Sequence, residues 1–510
     1  MEKLMTACKI LRHTPLPLMA LLTGMLCAVL ARMGMLHPVF LMTGFLFALF
    51  LASKGGAWLL LTAAIPTLFG IPVVPEGLGL GEYQVLLFLG AFSMMALVEA
   101  YRLKESPRIP VFTINTLFAL LLTASLIVAH LRDVALNDWL RGIMPFTLLW
   151  LMLPVALALQ TDIRSRASWI AASLGALALL INLDVNFTFF SEGLYTCYWQ
   201  EPGTLAAVKE YGCNAAPQGL IGPLRGRVTM YLASTTSEMV PLGCVLFTLM
   251  SAFTTSRLLR NALRLCALIA LAAVLESLTR SMFAAMLLGI AASGLLVAIC
   301  FRKQLRTFMV SLLILVVGGV LIVKAFNLEA FWMTRFQKVS TALVSQAGLE
   351  DDNISIRLEE YRIAMNGLMN HPFTGTGIGS RHTIRLGDTS GQFSLQSVGY
   401  IHNWVMYWLM VGGIPGFMLY ASFFLWPLWV FWKQRAKLPI LSAAAAVTLL
   451  TMGAYGLFFA VFRLAGWNLL LALLAGAALR LQATSSVSAL PSSSTRNESR
   501  VCSSALNCSS

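Results

Sequence analysis

Residues 265–326 read LCALIALAAVLESLTRSMFAAMLLGIAASGLLVAICFRKQLRTFMVSLLILVVGGVLIVKAF. They form three apolar runs, near 265–279, 281–300 and 307–326, parted by Arg280 and by one short basic turn. Such runs approach the length a helix needs to cross a hydrocarbon core of about 30 Å. Lipid offers backbone N–H and C=O groups no water partner, so each run is read as a helix. Working outward, comparable runs lie near 14–31, 37–53, 57–74, 83–100, 110–130, 142–160, 167–187, 229–253, 403–425, 438–461 and 464–479. The expected fold is all-α, a polytopic membrane helical bundle of about fourteen transmembrane helices. Composition agrees: the chain is 58% hydrophobic and 11% charged with mean hydropathy +0.78, against about 25% charged residues in soluble domains.

Two connections are long, 188–228 and 327–401. Lys and Arg gather on one alternating set of the short connections, which the positive-inside rule places in the cytoplasm together with both termini. Both long loops then face outward. The first run, 14–31, is read as a transmembrane helix rather than a cleaved signal, because it is long for a signal core and no small-x-small pattern follows it. The chain divides into amino-terminal helices with the first loop, 1–259; a core with the second loop, 260–425; carboxy-terminal helices, 426–480; and a Ser-rich disordered tail, 481–510.

The net charge of +14 is scattered rather than gathered into one patch, so membrane lipids are the expected partners and nucleic acid is not. Of nine cysteines, Cys197 and Cys213 lie in the first outer loop, where a disulfide would contribute about 3 kcal/mol; spacing alone leaves the pairing open. No Cys/His cluster has zinc spacing and Asp351-Asp352 is a single acidic pair, so neither metal nor other cofactor is expected.

The second loop concentrates the residues suited to chemistry. Arg280, between two apolar runs, reads either as a snorkelling turn residue or partner of Glu276, or as an anion clamp whose guanidinium fork suits phosphate oxygens. Arg357, Glu360, Tyr361 and Ala364 fall at helical spacing, which a solvated face explains as well as a site does. Arg381 and Arg385 add to a cationic loop that attracts an anionic substrate. Gly375, Gly377 and Gly379, in Pro372–Gly379, let backbone amides approach a ligand but also suit any irregular turn. That stretch lacks the Gly-Lys-Ser/Thr ending of a nucleotide P-loop. His402-Asn403 precedes an apolar helix whose Gly412 and Gly416 permit close helix packing; His402 reads as a helix-end residue or as a proton acceptor near neutral pH.

Taken in order, Thr279-Arg280-Ser281, Arg357, Pro372–Gly379, His402-Asn403 and Gly413-Ile414-Pro415-Gly416 resemble the O-antigen ligase and polymerase family. The resemblance spans roughly 260–425. It implies an inverting, metal-independent glycan transfer at the periplasmic face of the bacterial inner membrane. The implied donor is an undecaprenyl-pyrophosphate-linked glycan, and the implied acceptor a sugar hydroxyl on the lipid A core or on a second lipid-linked glycan. By that likeness Arg280 and Arg357 hold the pyrophosphate and His402 activates the acceptor, with Asn403, Arg381, Arg385 and the three glycines as substrate-binding candidates. A well-developed first loop with Arg225 and Arg227 favours a polymerase over a ligase. The alternative is a transporter or flippase for an anionic lipid-linked glycan, the class in which internal repeats and charges at mid-membrane depth are expected.

Overall fold

The computed structural model describes residues 114–159, 238–277, 279–325, 352–387, 393–463 and 465–487, with scattered positions within 170–186 and at 329, 332 and 333. The expected spans at 14–31, 37–53, 57–74 and 83–100, the first long loop with Cys197, Cys213, Arg225 and Arg227, and the tail beyond 487 lie outside the described residues, as does most of the span 167–187.

Eleven α-helices are delimited among the described residues. These are α1 (Ile114–Leu131), α2 (Leu136–Thr147), α3 (Met152–Ala158), α4 (Met239–Phe253), α5 (Arg257–Glu276), α6 (Arg280–Cys300), α7 (Leu305–Ala325), α8 (Asp352–Asn370), α9 (Trp404–Gln434), α10 (Pro439–Gly456) and α11 (Ala465–Val487). Among the described residues, five segments are long and apolar enough to cross a membrane: 257–276, 280–300, 302–325, 404–434 and 439–456. The core spans expected from the apolar runs are thus met, with ends that differ. Helix α9 runs past 425 to Gln434, beyond the expected core boundary, and α11 continues past 481 into the stretch expected to be disordered. The span expected at 142–160 is instead α2, a short 3-10 turn at Leu148–Leu151, and α3.

Apolar residues serve two purposes in this bundle. On α7 Leu313, Val316, Val320 and Leu321 are exposed in a row, the outward surface a lipid-facing helix presents and a water-facing one avoids. The inner faces carry small residues. A Cβ at Gly289 of α6 would stand 2.5 Å from Thr451 Oγ1 of α10 and 2.8 Å from Val245 Cγ2 of α4, so three helices meet there at backbone-limited distance. Behind α9 an aromatic core forms: Trp408 stacks on Tyr420 at 4.9 Å, Phe146 meets Trp408 edge-on at 4.8 Å, and Trp467 Nε1 donates to the Tyr420 hydroxyl at 3.0 Å.

One element departs from the all-α expectation. Residues His382–Gly387 and Phe393–Val398 pair as an antiparallel hairpin, β1 and β2, with His382 opposite Val398 and Arg385 opposite Leu395. The alternation of apolar and polar residues in His-Thr-Ile-Arg-Leu, with Ile384 buried, is a strand signature that the loop assignment passed over.

Candidate active site

Two sequence motifs that looked independent meet in one joint. Helix α9 contains Pro415, which has no N–H to give to Val411 O, and it breaks at Gly413 with φ 60° and ψ −163°. The turn 372–379 repairs the break. Gly377 N donates to Val411 O at 3.1 Å, Thr376 N to Met410 O at 2.8 Å, and Ile414 N to Pro372 O at 2.8 Å. Backbone must approach backbone for these bonds to form, which is why Gly375, Gly377 and Gly379 all have positive φ and why a Cβ at Gly375 would strike the backbone of Val411 and Gly412. The amides of Gly375 and Gly377 are already engaged, by His371 O and Val411 O. These glycines fasten a loop to a helix.

That joint holds α8 against the start of α9, and three candidate residues converge between them. Glu360 is fully buried and receives three donors: Arg357 Nη1 at 3.1 Å, the His402 backbone N–H at 3.1 Å, and the His402 ring, whose Nδ1 lies 2.6 Å from Oε1. The Arg357 and His402 side chains stay 29% and 17% exposed, so they can meet a substrate and Glu360 cannot. Burial pushes the Glu360 carboxyl up to about 7, with Arg357 pulling the other way. Arg357 in turn is lowered by burial, against the favourable fields of Glu360, Tyr361 and Tyr400.

Asn403 is the helix cap. Its Oδ1 accepts from Val405 N and Met406 N at 2.9 and 3.2 Å, while its Nδ2 donates to the Tyr361 hydroxyl at 3.3 Å. Tyr400 stands edge-on to the His402 ring at 5.0 Å, and Phe459 faces the ring at 6.3 Å.

The other candidates sit elsewhere. Arg381 donates to Asp138 Oδ1 at 3.3 Å and to Ser397 O at 3.0 Å, pinning the hairpin to α2; Arg385 lies within β1. His382 has both ring nitrogens buried without a hydrogen bond among the described residues, and burial lowers its pKa, which keeps it neutral. Arg280 opens α6, half-buried, directly after Thr279. The Glu276 carboxylate is buried and hydrogen-bonded to nothing among the described residues, so it does not form the hydrogen-bonded pair with Arg280 considered above. Glu360 is the residue whose role sequence reasoning missed: its helical spacing to Arg357 was visible, but contact with a residue 42 positions away depends on the joint.

Arg280 and the triad share one end of the bundle. Gly289 of α6 faces Thr451 of α10; nine residues back along α6 lies Arg280, and five residues on along α10 lies Gly456, where the connection carrying Phe459 begins. Read as membrane spans, α6, α7, α9 and α10 cross in alternating direction, which brings the start of α6 and the end of α10 to the same side.

No curated protein matches this chain. Residues 265–421 match the family model described as O-antigen ligase, an interval that takes in Arg280, Arg357, Glu360, the glycine turn and His402. Together with the five helices long and apolar enough to span a bilayer, the match makes this a multi-pass membrane protein whose segment 265–421 is similar to the O-antigen ligase family.

Proposed function

We propose that the protein is a membrane glycan transferase. In this reading it moves an oligo- or polysaccharide from an undecaprenyl-pyrophosphate carrier to a sugar hydroxyl at the periplasmic face of the bacterial inner membrane, with inversion. It acts as an O-antigen or exopolysaccharide polymerase or as an O-antigen ligase, and the acceptor is a second lipid-linked glycan or the lipid A core. The observation that carries the reading is the buried Glu360 carboxylate shared by His402 and Arg357.

A carboxylate on Nδ1 holds the imidazole as the Nδ1–H tautomer and leaves Nε2 with a free lone pair, the acceptor a general base requires. The acceptor hydroxyl gives its proton to Nε2 as its oxygen forms a bond to the anomeric carbon. On the opposite face the bond from that carbon to the diphosphate oxygen breaks, and the electron pair leaves with the lipid diphosphate. One displacement inverts the centre. Negative charge grows on the leaving diphosphate, and Arg357 and Arg280 supply fixed positive charge for it in a site already shielded from water. Glu360 stabilises the imidazolium once the proton has moved.

Glycan analysis of a deletion strain tests the assignment. Loss of a polymerase leaves single lipid-linked repeats, and loss of a ligase leaves long lipid-linked chains that never reach lipid A. Unchanged lipid-linked and mature glycans would overturn it, and purified protein that moved donor across liposome membranes without joining sugars would favour a flippase.

A further inference from the structure

Charge accounting around the site points to a residue outside the family match. Arg357 already faces the Glu360 carboxylate at 3.1 Å, so Glu360 offsets much of the charge it presents to a departing anion. Near Tyr400 stands another guanidinium. Arg463 closes the 3-10 turn Ala460–Arg463 and lies over the Tyr400 ring, its Cζ 5.2 Å from the centroid, while Tyr400 also sits in the field of Arg357. Tyr400 is thus flanked by two cations and touches His402.

Arg463 is held firmly and left unused. Asn468 Nδ2 donates to the carbonyl of Phe462, the preceding residue, at 2.7 Å, and Asn468 is itself bonded to the buried Tyr420 hydroxyl. Among the described residues Arg463 faces no carboxylate within salt-bridge distance, and its Nε is buried without an acceptor. A second orphan lies beside it. The Tyr407 hydroxyl, on a side chain only 1% exposed, interacts electrostatically with Arg463 and makes no hydrogen bond. These two polar groups interact with each other and have no hydrogen-bond partner among the described residues, so both are available to an oxygen-rich partner.

We propose that Arg463, with Tyr407 behind it, is an anion-holding element of the site that grips a phosphoryl group of a diphosphate ester on the Tyr400 side of His402. This rests on the transferase reading above and extends it: the site is completed by the carboxy-terminal helices, beyond residue 421.

The test is calorimetric titration of full-length protein in nanodiscs with inorganic pyrophosphate. Arg463→Gln keeps the stem and removes the fork; a charge-assisted hydrogen bond contributes about tenfold or more in affinity, so binding weakens by at least that factor. Tyr407→Phe removes no existing hydrogen bond, folds as the parent does, and weakens binding severalfold. His402→Ala binds pyrophosphate like the parent. Parent protein that ignores pyrophosphate at millimolar concentration, or Arg463→Gln that binds it unchanged, overturns the proposal; if Arg463→Gln does not fold, unchanged binding in Tyr407→Phe does so. Pyrophosphate binding that depends on Arg463 in a protein transferring no glycan would leave this anion site standing and remove the transferase reading.

Discussion

At the scale of single residues, the proposed chemistry depends on one shared proton. Glu360 and His402 are coupled at 2.6 Å, and burial raises the Glu360 carboxyl to about 7. The sign follows from the base that is needed. Above about pH 7 Glu360 is charged, His402 carries Nδ1–H and Nε2 is free; as pH falls through that value the pair takes up a proton and the base is lost. Transfer rate in a purified system therefore falls about tenfold per pH unit below an apparent value near 7, and a flat profile down to pH 5 would contradict the pairing. Glu360→Gln lowers transfer by about tenfold to a thousandfold without weakening pyrophosphate binding, because the carboxylate never meets substrate and no longer offsets the Arg357 charge. Arg357→Lys is not a conservative change here. Lysine keeps the charge and loses the fork, so donor binding weakens although protein levels hold.

At the scale of elements, the glycine turn and the Gly-Ile-Pro-Gly break act as one joint. Gly375→Ala places a Cβ into the backbone of Val411 and Gly412 at φ 67° and costs about 1–3 kcal/mol of local strain or more. Limited proteolysis then cuts the stretch 371–400 faster, and transfer is lost with His402 and Glu360 both intact. Equal cleavage rates in variant and parent would dissociate the joint from the site. Asp138→Asn, by contrast, removes only the part-exposed partner of Arg381, so melting shifts by no more than about 1 kcal/mol.

This joint also shows what could be read from sequence. Three glycines at alternate positions and a proline inside an apolar helix were each visible in the chain. Their meaning was not, because the hydrogen bonds from 376 and 377 to 410 and 411 are long-range and satisfy carbonyls that only the broken helix exposes. His402 and Arg357 were legible as chemistry-bearing types in the right loop. Glu360 read equally well as part of a solvated face or of a site until folding buried it, and Arg463 was lost within an apolar stretch because its neighbours, Tyr400 and Tyr407, come from the segment before α9 and from α9 itself.

At the scale of the whole molecule, hydropathy gave the helices of the core with ends that differ by up to nine residues, since lipid imposes length and apolarity on any spanning segment but does not fix where the helix stops. Alternation then puts residues 277 and 279, 352–387, 393–403 and 457–463 on one face, and 254–256, 301–304 and 435–438 on the other. Single cysteines at 279 and 459 in a cysteine-free background should react with a membrane-impermeant thiol reagent from the same side, and one at 303 only from the opposite side. Labelling of 303 and 459 from one side would break the alternation and with it the shared face of Arg280, His402 and Arg463.

The central claim is that His402, oriented by Glu360, takes the acceptor proton. It is tested most directly by glycan transfer from purified lipid-linked donor to acceptor, comparing His402→Ala with the parent in nanodiscs at equal protein and equal pyrophosphate affinity. The account predicts that His402→Ala binds pyrophosphate normally and forms product at least about a hundredfold more slowly. Product formed at the parental rate would contradict it.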